Sequence, residues 1–246
     1  MEAREASPFQ AWARRQRFAL KIDIARYFPS VDHALLKAML RRHLKDPPLL
    51  ALLDHIIDSA PVSDDDGAVH YFAGDDLFSP TQHVRGLPIG NLTSQFFANL
   101  YLNQFDHFVK ERLRVPCYQR YVDDMILLAN DKAQLWAWLA EIECELGLLR
   151  LRLHARKRHL CRTADGLDVL GYRVFHGHRD LRDDNAHRFA RKMRGMARAY
   201  TAGRYEFADF RASICSWVGH ASHADTSALQ DKIFDATIFC RDSTEQ

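Results

Sequence analysis

At 246 residues the chain is long enough for one or two domains with a sizeable core. Its 47% apolar and 27% charged residues are those of an ordinary folded protein, which excludes a disordered chain or a bundle of membrane spans. The start, MEAREASPFQ, has no apolar stretch behind its charges, and the five cysteines (Cys117, Cys144, Cys161, Cys215 and Cys240) form no C-x-x-C pair. Those features predict a cytoplasmic protein with free thiols, no zinc cluster and no membrane partner. The net charge of +2 hides an asymmetry: residues 150–204 carry 15 Lys/Arg against 5 Asp/Glu. So concentrated a basic block is the electrostatic footprint of nucleic-acid binding; the alternative is a solvated basic helix face.

Taken in chain order, FQAWARRQRF reads as an amphipathic helix. FALKIDIARYF (18–28) follows, and its first part reads as a strand ending near Asp23. Residues 31–58 read as a helix or helix pair, broken at Pro47-Pro48. Residues 59–85 read as a long irregular connection, with Asp64–Asp66 and Asp75-Asp76 as solvated loop charges. Gly86-Leu87-Pro88-Ile89-Gly90 is a turn, and a helix runs from about Asn91 to Lys110. Its two apolar rows, Leu92, Phe96, Leu100 and Phe97, Tyr101, Phe105, Phe108, have helical spacing and read as core. YQRYVDDMILLA (118–129) reads as strands 118–122 and 125–129 around a tight turn. Residues 131–147 form another amphipathic helix, 149–153 alternates as a half-buried strand, and 169–175 is one more strand. From about residue 183 the pattern is helical and basic. Strands and helices interleave without a βαβ rhythm, so the fold class is α+β: an antiparallel sheet with packed helices, then a helical subdomain.

The chemistry rests on three acids. Asp123 and Asp124 interrupt an apolar run at a hairpin tip. Asp is a natural turn residue, so a solvated Asp-Asp turn is the plain alternative. Adjacent carboxylates backed by buried strands repel unless a cation joins them. Asp23, between Ile22 and Ile24, is a lone acid in a second apolar strand, where pairing or metal coordination is the usual remedy. Carboxylates on neighbouring strand ends suit Mg²⁺, which takes one or two of them plus substrate phosphates. Two such ions about 4 Å apart stabilise both the attacking and the leaving oxygen of an in-line phosphoryl displacement.

KIDIARYF, GLPIGNLTSQFFANLYLN (86–103), YVDD (121–124) and VLGY (169–172), in that order, resemble the palm motifs of reverse transcriptases. The wording GLPIGNLTSQ and the later SWVGHASHADT (216–226) most resemble the enzymes of diversity-generating retroelements. The likeness covers nearly all of residues 14–240. Retron, group II intron and phage-defence enzymes are the alternatives within that family. A catalytically impaired RNA-binding remnant is the alternative outside its chemistry.

The resemblance implies a palm over 1–178 and a helical thumb-like region over 179–246. It implies an RNA-directed DNA polymerase working on an RNA template, a DNA primer and dNTPs, with two Mg²⁺ ions (or Mn²⁺) and a small accessory protein as a further partner. Asp23, Asp123 and Asp124 become catalytic metal ligands. Lys157 matches a lysine that donates a proton to the leaving pyrophosphate; the alternative is a further phosphate contact beside Arg156 and Arg158. Phe28, five residues after Asp23, matches the aromatic that excludes a ribonucleotide 2′-OH; the alternative is a core aromatic. Pro88, Ile89, Gly90 and Gln95 belong to the segment that packs against the templating pair. Many relatives carry Gln where this chain has Ile89, and its loss accompanies error-prone copying. Gly171 and Tyr172 match the primer grip. His220 and His223 have an i, i+3 spacing without a zinc pattern, so structural or RNA-contacting roles are expected. Relatives carry a fingers region before the first aspartate. Only residues 1–22 precede Asp23 here, so a chain short of its fingers is expected.

Overall fold

The computed structural model describes residues 8–59, 71–72, 74–76, 78, 83–88 and 90–240. They fall into two compact units, Gln16–Leu160 and a second made of Met1–Arg15 with Cys161–Gln246. As expected, the architecture is mixed helix and antiparallel sheet.

In the first unit, β1 (Phe18–Asp23) lies antiparallel to β3 (Asp124–Ala129), and β3 antiparallel to β2 (Cys117–Tyr121). With β4 (His159–Arg162) the order is β2-β3-β1-β4. Met125 to Ala129 are buried without a break, so β3 is covered on both faces. The helices α2 (Tyr27–Ser30), α3 (His33–His43), α4 (Pro47–Asp58), α5 (Leu92–Tyr101), α6 (Asn103–His107) and α7 (Lys132–Leu148) surround that sheet. Leu20, Ile22, Phe97, Tyr101, Phe105, Met125, Leu127, Leu135, Leu139 and Ile142 form one buried cluster. Each such side chain contributes about 1.5–3 kcal/mol relative to exposure. Asp32 caps α3 by accepting from the Leu35 amide at 2.9 Å, and Asp131 caps α7 the same way at Ala133.

The expected helix over 91–110 breaks after Tyr101, and Phe108–Arg112 is a π-turn. Of its two apolar rows, Phe97, Tyr101 and Phe105 are core, whereas Leu92 and Phe96 are 84% and 59% exposed. Residues 149–153 form no strand. Leu151 and Leu153 alternate inward, but among the described residues a single bridge, Leu153 to Ile24, is their ladder contact. The N-terminal helix is short, α1 (Pro8–Ala13).

In the second unit, β5 (Leu167–Val169), β6 (Tyr172–Val174) and β7 (Arg179–Leu181) form an antiparallel meander. The expected strand over 169–175 is therefore a hairpin turning at Leu170 and Gly171. Both have positive φ, 49° and 90°, which glycine adopts freely and leucine does not. The expected palm–thumb boundary at 178/179 falls inside this sheet. Helix α8 (Asp183–Thr201) buries Ala186, Phe189, Met193 and Met196 on one face. Phe189 stacks on Trp217 of α9 (Phe207–Ala221) with centroids 4.0 Å apart, and Ile233 of α10 (Ser227–Asp235) completes the core. Arg14, just after α1, donates to the His176 carbonyl at 2.8 Å, which ties the N-terminal segment to this unit.

Candidate active site

The register of the sheet places the acids. Asp23, the last residue of β1, stands opposite Asp124, the first of β3, and Tyr121 of β2 stands opposite Asp124 on the other side. Val122 and Asp123 make the two-residue turn. Val122 has φ 56°, a strained conformation for a β-branched residue and the kind of outlier that gathers at functional sites. The turn is braced from behind. Arg120 donates to the Val122 carbonyl at 2.9 Å and grips the Asp106 carboxylate with Nε and Nη2 at 2.9 and 2.5 Å. Tyr118 donates its hydroxyl to the same carboxylate at 2.8 Å. The Ile24 amide donates to the Asp123 carbonyl at 3.2 Å, stitching the two acidic strand ends together.

Two lysines meet the carboxylates. Lys157 Nζ lies 3.0 Å from both oxygens of Asp23, whose side chain is buried. The segment before it makes this contact: His154 donates its amide to the Asp23 carbonyl at 2.8 Å, and a turn from His154 to Lys157 brings the chain back. Lys21 Nζ lies 3.0 Å from Asp124. Asp123 is held above the ordinary carboxylate range by burial, against its own backbone hydrogen bond, and further by the charges of Asp23 and Asp124. Hydrogen bonding to Asp23 holds the Lys157 ammonium above its usual range.

Among the described residues, no group of three or more His, Cys, Asp or Glu side chains is drawn together into a metal shell. The donors nonetheless fit a hard cation. They are carboxylate oxygens, they repel one another, and Asp123 bears the repulsion.

The other expected site residues divide between the units. In the first, Tyr27 is core and donates its hydroxyl to the Ala98 carbonyl, while Phe28 is half-buried with its edge toward Tyr27 at 5.7 Å. The Leu87 amide donates to the Phe28 carbonyl at 2.9 Å, so Phe28 and the Gly86–Gly90 turn share a backbone contact. Pro88 accepts from the Ser94 hydroxyl at 2.7 Å, Gly90 turns at φ 92°, and Gln95 is exposed on α5. Ile89 lies outside the described residues, as do Asp64–Asp66. Asp75 is not a solvated loop charge: its side chain is 3% exposed and accepts from the Phe72 amide and His83.

In the second unit, Gly171 forms the hairpin turn and Tyr172 follows it. The Tyr172 hydroxyl meets His220 Nδ1 at 2.8 Å and donates to the His220 carbonyl at 2.9 Å. That gives His220 a structural partner. Several charges of the basic block are paired. Arg150 pairs with Asp32, Lys157 with Asp23, Arg158 with Glu143 and Arg182 with Asp184. Arg188, Arg191, Lys192, Arg194 and Arg198 are exposed on α8.

Lys21, Asp106 and Arg120 were not singled out from sequence. Lys21 had a faint signal as the polar residue of β1 two places before Asp23. Asp106 had one as an acid wedged between Phe105 and Phe108.

A family model described as reverse transcriptase (RNA-dependent DNA polymerase) matches residues 8–174. Protein YkfC of Escherichia coli (strain K12) is 28% identical over 193 residues, covering 65% of this chain and 47% of its own length. The chain thus spans about half of that relative. Telomerase from Candida albicans, in complex with a fragment of telomeric RNA, aligns with a TM-score of 0.52 at 11% identity, over 98% of this chain and 45% of its own. Telomerase from Candida tropicalis aligns with 0.50 at 12% identity, over 71% and 32%. At such identities these two speak to the fold alone, and the fold is that of a polymerase palm.

Proposed function

Because the chain belongs to the reverse transcriptase (RNA-dependent DNA polymerase) family, we propose that it is an RNA-directed DNA polymerase that adds deoxynucleotides to a primer 3′ end on an RNA template. One observation carries the reading: Asp23 stands in register opposite Asp124, with Asp123 at the turn between strands and Lys157 against Asp23. Bound there, two Mg²⁺ ions would stabilise charge on the attacking and leaving oxygens of the transferred phosphoryl group.

The chain's own residues do the rest. Asp23 and Asp123 supply oxygen ligands from two strands whose register fixes their spacing. Asp124, opposite Asp23 and paired with Lys21, adds a third carboxylate to the site. Lys157 holds a proton beside the reacting centre and delivers it to the pyrophosphate oxygen that leaves. Phe28 closes the space a 2′-hydroxyl needs. By resemblance, Pro88, Ile89, Gly90 and Gln95 belong to the segment that bears on the templating pair.

Ile89 supports a narrower reading, a mutagenic enzyme of the diversity-generating type. A branched alkyl side chain offers no hydrogen bond to sugar or base edge, so one polar check on pairing is missing, worth about 1 kcal/mol or more. Gly171 and Tyr172 are assigned to the primer strand, a small accessory protein to the partners, and the cytoplasm to the location.

Primer extension on an RNA template with dNTPs and Mg²⁺ tests the reading. The wild-type chain should extend the primer and Asp123→Asn should not, although both bind the duplex. Ile89→Gln should lower misincorporation. Extension by Asp123→Asn at the wild-type rate would remove the proposed centre. An unchanged error rate in Ile89→Gln would remove only the mutagenic reading.

A further inference from the structure

The segment leading into the Gly86–Gly90 turn is held by a buried set of charges that the polymerase chemistry does not use. Residues 84–87 lie against 28–33. The His33 amide donates to the Val84 carbonyl at 3.0 Å, Gly86 to Val31 at 2.9 Å and Leu87 to Phe28 at 2.9 Å, and Asp32 bridges Arg85. His33 adds a side-chain bond, Nε2 to the Gly86 carbonyl at 2.7 Å. Such backbone pairing fixes direction, but a strand of this length slips readily unless something sets its register.

At the entrance to the segment stands His83. Its Nε2 meets Asp75 at 3.0 Å, and its Nδ1 lies 3.7 Å from Asp32. Asp32 is 1% exposed and already accepts from the Leu35 amide and from Arg150 Nη1 at 2.7 Å. Arg150 is itself held in a left-handed conformation, φ 55°, just past the end of α7. Two carboxylates thus meet around an arginine and an imidazole. Buried ion pairs of this kind are weak contributors to stability compared with apolar packing, but breaking one partner leaves a stranded charge. Their best use is to specify one arrangement, and here Asp32 joins His83 to the start of α3, Arg150 holding Asp32 and Asp75 holding His83.

We propose that Asp32, Arg150, His83 and Asp75 form a clasp that fixes the Gly86–Gly90 turn, making His83 and Asp75 positioning residues for the incoming nucleotide. This rests on the polymerase reading for what the turn does, but not for the clasp itself. His83 orients the segment through two carboxylates on different parts of the chain. Asp75 is in turn oriented by the Phe72 amide at 2.9 Å. Loosening the clasp lets the turn sample positions that hold the nucleotide less well, without touching the carboxylates that carry the reaction.

Amide hydrogen exchange and primer extension test this together, on wild type, His83→Ala, Asp75→Ala and Asp75→Asn. In both alanine variants, exchange at Gly86 and Leu87 should quicken about tenfold, the scale of one lost charge-assisted hydrogen bond, while the Ile24 amide in the catalytic hairpin is unaffected. The dNTP KM should rise by about the same factor, with kcat falling less than about twofold. Asp75→Asn keeps an oxygen acceptor toward His83 and should restore most of both. Unchanged exchange at Gly86 and Leu87 in the alanine variants overturns the clasp. Faster exchange with an unchanged KM overturns the link to the nucleotide. A wild-type chain that extends no primer overturns the polymerase reading instead, and the exchange data still decide the clasp.

Discussion

Lys157 Nζ is equidistant, at 3.0 Å, from the two carboxylate oxygens of Asp23. A lysine held so symmetrically is oriented by that acid, although the two residues are 134 apart in the chain. Its side chain is more than half exposed, so the pair adds little to stability, about 0–1 kcal/mol as for exposed ion pairs generally. On the proposed polymerase reading, its value lies in holding a proton where pyrophosphate leaves. Lys157→Ala should lower kcat by about 10²-fold, the lower end for a general acid, with dNTP KM changed far less. Single-turnover extension measures both. A rise in KM with kcat intact would make Lys157 a phosphate contact instead.

Asp123 gives a pH-dependent prediction. Burial first, and then Asp23 and Asp124, raise its folded-state pKa above the unfolded value. A raised acid binds its proton more tightly when folded, so its ionised form works against folding above that pKa. The penalty is present above the folded pKa and fades as pH falls through it toward the ordinary carboxylate range near about 4. With chelator present, Asp123→Asn should therefore melt higher than wild type at pH 7, and the gap should close in acid. Thermal melts at both pH values check it. A gap that widens in acid would mean that Asp123 is stabilised, not strained, as an anion.

Tyr27 and Phe28 should behave oppositely despite being neighbours. Tyr27 is 2% exposed and bonded to Ala98, so Tyr27→Ala should cost about 3–5 kcal/mol, as large core truncations do. Phe28→Ala should cost much less. If Phe28 excludes a 2′-OH as proposed, its effect should appear in the ratio of kcat/KM for dNTP over rNTP, which should fall at least tenfold. A Phe28→Ala protein with unchanged sugar selectivity would make Phe28 a packing residue only.

What could be read from the chain follows from how local each signal is. Asp23 and Asp123 stand out because an acid in an apolar strand has few physical explanations, and the hairpin needs only contiguous residues to be seen. Lys21, Arg120 and Asp106 were hidden because their partners are set by sheet register and by helix–strand packing. The alternation at 149–153 did report burial of Leu151 and Leu153. Periodicity cannot say whether a neighbouring strand is there to pair with, and here only Ile24 is. Leu92 and Phe96 have helical spacing, yet they lie on the face of α5 opposite buried Ser94, Phe97 and Tyr101. Asp75 looked like a loop charge because His83 and the Phe72 amide, which bury it, carry no distinctive pattern.

The basic block gives the last prediction. Its pairs with Asp32, Asp23, Glu143 and Asp184 remove several charges from any ligand, so the count of 15 overstates what nucleic acid meets. Arg191 and Arg198 lie two turns apart on the exposed face of α8, opposite buried Phe189, Met193 and Met196. Substituting both by alanine should leave the melting temperature nearly unchanged, since exposed positions cost within about 0.5 kcal/mol. If each meets one phosphate, the slope of log K against log salt for an RNA–DNA duplex should become shallower by about 2. Titrations at several salt concentrations read the slope directly. An unaltered slope with normal affinity would place the duplex on another surface and leave the α8 face as a solvated helix side.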